Sequence, residues 1–99
     1  MNGNPSTVGP VLTSGLVAQA IITAIQRLNP DAEVRDRGAY LRVLVPDRCV
    51  VTRAAIEAEL GRPFRLPGDL EATMPSFKGR FTVSADQAAW TAALDETAT

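Results

Sequence analysis

The spacing of apolar positions changes several times along the chain, and each change predicts a different element. Leu16, Val17, Ala20, Ile21, Ala24, Ile25 and Leu28 share one face at about 100° per residue, which predicts a helix ending near Leu28. Ala18 and Ile22 widen that face beyond a usual core stripe, leaving Gln19, Thr23, Gln26 and Arg27 for water. A face this broad either fills a groove of its own domain or offers one flank to a partner. Ala18 and Ile22 are the positions that decide between the two. Thr13 or Ser14 is placed to cap the helix start, and Asn29-Pro30 stops it, because the residue before a proline is pushed out of the helical region.

The period then drops to two. Glu33–Arg35 and Ala39–Val45 read as strands around Asp36-Arg37-Gly38, whose glycine suits the positive-φ position of a three-residue hairpin. Ala39, Leu41, Val43 and Val45 point to one side, and Tyr40, Arg42 and Leu44 to the other. Tyr40 and Arg42 therefore lie on the more polar face, either solvated or used for binding. Pro46-Asp47 signals a type I turn, and Cys49–Val51 forms a third strand. Thr52 caps a second helix, Arg53 to Leu60, anchored by Ile56 and Leu60 with Glu57 and Glu59 facing water. Upstream, Val8–Leu12 is a short extended piece that Gly9-Pro10 restricts to an edge strand or a linker.

The stretch from Leu60 to Phe81 begins with a helix stop, since Gly61 accepts the left-handed capping conformation and Pro63 cannot continue a helix. Leu70, Ala72 and Met74 alternate with Glu71 and Thr73, predicting a half-buried strand that Pro75 ends. Pro75–Gly79 then reads as a turn that carries Phe77 and Lys78 outward before Arg80–Val83 becomes extended. From Ser84 to Leu94 local rules favour a helix, through a Ser84/Gln87 capping box and a run of alanines. Residues 1–7 read as a flexible tail, and residues 95–99 are expected to fray.

Composition narrows the chemistry. Ninety-nine residues, 45% hydrophobic and 21% charged, predict one globular domain. Ten basic and eleven acidic residues are mixed along the chain without a basic run, which disfavours nucleic-acid binding by counterion release. There is no histidine, and Cys49 is the only cysteine, so a structural zinc site or an iron-sulfur cluster cannot be assembled within the chain. Cys49, beside two valines, is expected to be a small buried hydrophobe. The apolar runs fall far short of the roughly 20 residues that span a bilayer, so a cytoplasmic protein without membrane contact is expected. Without histidine a serine nucleophile lacks its partner, and only carboxylates with pKa values raised by burial could serve as bases. Neither Glu57 with Glu59 nor Asp69 with Glu71 resembles a catalytic pair, and the scattered glycines form no phosphate cradle. A binding module without cofactor, rather than an enzyme, is the reading left.

Several pieces carry a resemblance: Val8–Leu12, Asn29-Pro30 with Glu33-Val34, Arg37–Val43, Leu60–Phe64, Leu70-Glu71 and Ser76–Gly79. In this order and spacing the chain resembles the effector, or coupling, proteins of soluble diiron multicomponent monooxygenases, of the short type found with toluene, phenol and alkene hydroxylases. The resemblance implies an α+β domain over residues 8–94, with small, mostly antiparallel sheets packed with two helices in the order β-α-β-β-β-α-β-β. It also implies a strand, not a helix, in Ser84–Leu94, with Trp90 against the sheet. A cofactorless protein follows, monomeric when free, that docks on the α subunit of the diiron hydroxylase. There it tunes the active site, substrate access and the coupling of NADH use to hydroxylation or epoxidation. The family's docking turn aligns with Thr73, Met74, Pro75, Ser76, Phe77, Lys78 and Gly79, of which Ser76, Phe77 and Gly79 match the family pattern. Ile22 joins them as a partner-facing candidate from the helix flank. Phe77 either contacts the partner or plugs the domain's own core. The alternative is a small α+β ligand-binding or scaffold domain unrelated to oxygenases.

Overall fold

A computed structural model describes residues 7–92. Ten elements follow in order: β1 Thr7–Thr13, α1 Leu16–Leu28, β2 Glu33–Asp36, β3 Tyr40–Pro46, β4 Arg48–Thr52, α2 Arg53–Leu60, α3 Gly68–Thr73, β5 Ser76–Lys78, β6 Arg80–Val83 and β7 Gln87–Thr91. The strands form two antiparallel sheets, β2-β3-β1-β5 and β4-β7-β6. The fold is α+β, with one helix more than the sequence predicts. Thr7, expected in a tail, opens β1, while the expectations for residues 1–6 and 93–99 lie outside the described residues.

The period-two pattern of β3 places Leu41, Val43 and Val45 in the core opposite the exposed Tyr40 and Arg42. Ala39 lies outside the strand and is exposed. β1 is neither an edge nor a linker, because β3 pairs on one side and β5 on the other. Its proline is accommodated by a local break: pairing with β3 holds at Val8↔Val45 and Val11↔Arg42 and lapses at Gly9 and Pro10. Gly9 sits at φ 150°, and a Cβ there would meet the Val43 carbonyl oxygen at 2.3 Å, so only glycine permits this approach.

The chain passes between the sheets at two single-residue joints. Asp47 separates β3 from β4 with φ 64°, which is the sign for the third position of a type II turn and not the type I turn expected from Pro46-Asp47. Its carbonyl accepts the Ala92 N–H at 2.9 Å. Gly79 separates β5 from β6 with φ 108°.

The broad apolar face of α1 is explained by two neighbours, since the helix packs against both α2 and β4. Ala18, Ala20, Ile21, Ile22, Ala24 and Ile25 are buried there. Leu16, which shares the predicted apolar face, is instead 85% exposed. Gly15 occupies the cap position without a side-chain bond, and Ser14 Oγ donates to the Gly38 carbonyl at 2.6 Å instead of capping the helix. Asn29 does more than stop α1. Its amide donates to Ile25 and Val50 carbonyls, both at 2.7 Å, and its Oδ1 accepts the Val50 N–H at 3.1 Å. A side-chain amide thus pairs with β4 on the edge opposite β7, satisfying backbone groups that a buried edge would leave unpaired.

α2 follows the sequence rules closely. Thr52 Oγ1 accepts the Ala55 N–H at 3.1 Å, and Gly61 closes the helix at φ 78°. Glu57, however, does not simply face water: its carboxylate accepts the Phe64 N–H at 2.8 Å and ties the following loop back to the helix. Residues 70–73 are helical and Met74 is the C-cap of α3, so this stretch is not a strand. Leu70 and Met74 are buried one helical turn apart while Ala72 is exposed, and Asp69 Oδ2 accepts the Arg65 N–H at 2.8 Å just before α3. The segment where local propensity and family resemblance disagree is the strand β7, with Trp90 fully buried opposite Cys49 and Phe81.

Candidate docking site

The segment predicted to dock runs out of α3 into the second edge of the four-stranded sheet. Thr73 ends α3 half-buried, Met74 is buried, and Pro75 to Gly79 are exposed. The predicted turn is itself a strand, β5, with Ser76 opposite Val11, Phe77 opposite Pro10 and Lys78 opposite Gly9. Alternation therefore sends Ser76 and Lys78 to one face and Phe77 to the other. Lys78 Nζ donates to Thr7 Oγ1 at 3.3 Å.

Phe77 fits neither extreme expected of it. Its residue is 44% exposed, yet its ring lies 5.3 Å from Phe81, and Phe81 lies 5.3 Å from the buried Trp90. The interplanar angles are 41° and 31°, so the three rings form a tilted stack with an open end at Phe77 and a closed end in the core. Gly79 is required at the bend. A Cβ there would stand 2.7 Å from Val8 Cγ1 and 2.9 Å from the Thr91 carbonyl oxygen, at a φ that disfavours any side chain.

Ile22 is not brought to this site. It is 5% exposed and belongs to the core, where the packing of α1 explains its apolar character without a partner. Two residues that the sequence places on a polar face are brought there instead. Val11 pairs with Arg42 on one side and Ser76 on the other, so Tyr40, Arg42, Arg37, Val11, Pro75 and Ser76 line one open recess of about 580 Å³. The alternation in β3 was readable, but its register against β1, and that of β1 against β5, was not, because nothing local marks β1 as an interior strand.

Among the described residues no three His, Cys, Asp or Glu side chains cluster as metal ligands would. Burial pushes the Cys49 thiol up to about 12 from its ordinary 9.0, so at neutral pH it is an uncharged, enclosed group. No helix of the described residues is long and apolar enough to cross a membrane.

Residues 6–91 match the MmoB/DmpM family. The effector subunit of an alkene monooxygenase system from Xanthobacter autotrophicus is 45% identical over 85 residues, which span 84% of this chain and 83% of that protein. The fold is similar to a chain in the structure of a phenol hydroxylase–regulatory protein complex, with a TM-score of 0.76 at 22% identity over 86% of this chain and 95% of that one. It is also similar to regulatory protein B of soluble methane monooxygenase, with a TM-score of 0.70 at 24% identity over 96% of this chain and 71% of that chain.

Proposed function

The chain belongs to the MmoB/DmpM family, and we propose that it is the non-catalytic effector component of a multicomponent monooxygenase, acting on the diiron hydroxylase in the cytoplasm. The observation that carries this reading is the extended match to an alkene monooxygenase effector subunit. The exposed strand β5 supports it, because an edge strand with Ser76 and Lys78 on one face and a half-open aromatic ring, Phe77, on the other suits a protein contact. In this reading Thr73 to Gly79 meets the α subunit of the hydroxylase, with Pro75, Ser76, Phe77 and Lys78 presented directly and Met74 holding the segment to the core.

Such a protein needs no cofactor. It changes the hydroxylase only by binding one of its conformations more tightly than another, and the shift is limited by that difference in affinity. Helix positions lining the active site, substrate access and the coupling of NADH use to oxygenation are the properties so tuned. Titrating the purified protein into hydroxylase, reductase and any ferredoxin should raise the product formed per NADH consumed. A yield that stays constant over the full titration overturns the proposal.

A further inference from the structure

We propose that the recess between Arg37, Tyr40 and Arg42 receives an acidic segment of the hydroxylase, so that charge on the outer face of the four-stranded sheet directs docking. The inference rests on the function proposed above and adds to it a second contact surface and the chemistry of its occupant. Its starting point is an imbalance. The chain as a whole carries a formal charge of -1, yet the outer sheet face gathers Arg35, Arg37 and Arg42 near the exposed Tyr40, against Glu33 on the same face.

The acidic residues of this region are already engaged. Glu33 Oε2 accepts from Arg35 Nε at 3.0 Å, and Asp36 Oδ1 accepts the Gly38 N–H at 2.8 Å to hold the β2–β3 loop. Ion pairs among the described residues join Arg27 to Glu59, Arg35 to Glu33 and Arg53 to Asp86, and Arg37 and Arg42 take part in none of them. Among the described residues, two guanidinium groups thus line the recess without a carboxylate partner, beside a phenol that can also donate to one.

Shape selects among anions. Val11 and Pro75 give the recess an apolar part, and about 580 Å³ of open space accommodates several side chains, more than one inorganic anion occupies. Two cations at one tyrosine fall far short of the basic stripe needed to follow a phosphate backbone. The recess is also continuous with Pro75 and with Ser76 of β5, so a partner covering the Ser76 and Lys78 face of β5 reaches it without a second orientation.

The test is the affinity of the intact protein for its hydroxylase, read by titration at low and high salt. Arg37→Glu/Arg42→Glu is compared with the equal charge change Arg48→Glu/Arg65→Glu, made at exposed positions away from the recess. The recess variant should bind at least about tenfold more weakly at low salt, with the gap narrowing at high salt, while Arg48→Glu/Arg65→Glu stays near wild type. Melting curves of the variants should overlay, which separates lost docking from lost folding. If wild type binds and both double variants bind alike, this inference fails and the proposed function stands. If wild type does not bind the hydroxylase at all, both fail. Competition by millimolar inorganic phosphate below its general salt effect, or self-association of the free protein abolished by the recess variant, would assign the recess to a small anion or a second copy and overturn it.

Discussion

The two sheets are made of similar antiparallel strands and use their faces differently. In the three-stranded sheet, Ala88, Ala89 and Trp90 are buried in succession along β7, and Cys49 and Val51 are buried beside them on β4. Burial on successive residues means both faces of β7 are covered. In the four-stranded sheet, Leu41, Val43, Val45, Val8 and Leu12 face inward, while Tyr40, Arg42, Ser76 and Lys78 remain at the surface. One sheet encloses its central strand and the other presents a face. On the proposed function, stability and recognition fall to different parts of a small domain, and substitutions in the two should separate accordingly.

The largest effect is expected at the enclosed strand. Trp90→Ala should cost about 3–5 kcal/mol, as for a large aromatic removed from a packed core, measured by denaturant unfolding followed by far-UV circular dichroism. A loss no greater than that of a surface substitution would erase the distinction between the sheets. Asn29→Ala comes next at about 2–3 kcal/mol, because it leaves the Val50 N–H and carbonyl without their partner. Hydrogen exchange at the Val50 amide should accelerate in that variant. Phe77→Ala tests the open sheet: about 1 kcal/mol of stability from a partly covered ring, with a much larger fall in hydroxylase activation. Should the variant instead be unfolded, the ring serves the core and the contrast fails.

The smallest effect concerns pH. Because the folded Cys49 thiol is raised to about 12 from 9.0, it favours folding fully below pH 9, where both states keep the proton. Above 9 the unfolded chain ionises first, so stability declines as pH rises towards 12. Melting temperatures at pH 8 and pH 10.5 should therefore diverge more for wild type than for Cys49→Ala.

Legibility in the sequence divides along the same physical lines. Where a single local interaction decides, as with the Thr52 cap, the left-handed Gly61 and the alternation of Leu41, Val43 and Val45, the residues announce the structure. Where two periods fit the same short run, they do not. Leu70 and Met74 satisfy both a strand of period two and one helical turn, and the exposure of Ala72 that separates them is a tertiary fact. In β7 the alanines favour a helix, but pairing with β4 and β6 on both sides and the burial of Trp90 outweigh that preference. The order of residues is what points to residues 73–79 as the proposed docking segment, whereas the recess at Arg37, Tyr40 and Arg42 exists only through strand register. Ile22 shows the converse: an unusually apolar helix invites a partner, and α2 with β4 supplies the cover from within.

The tilted rings of Phe77, Phe81 and Trp90 equip the molecule with an optical gauge of its own surface. The chain has one tryptophan, and it sits two ring contacts from the open end of the stack. Anything that covers or displaces Phe77 changes the surroundings through which indole emission is set, so intrinsic fluorescence reads occupancy of that strand without an attached dye.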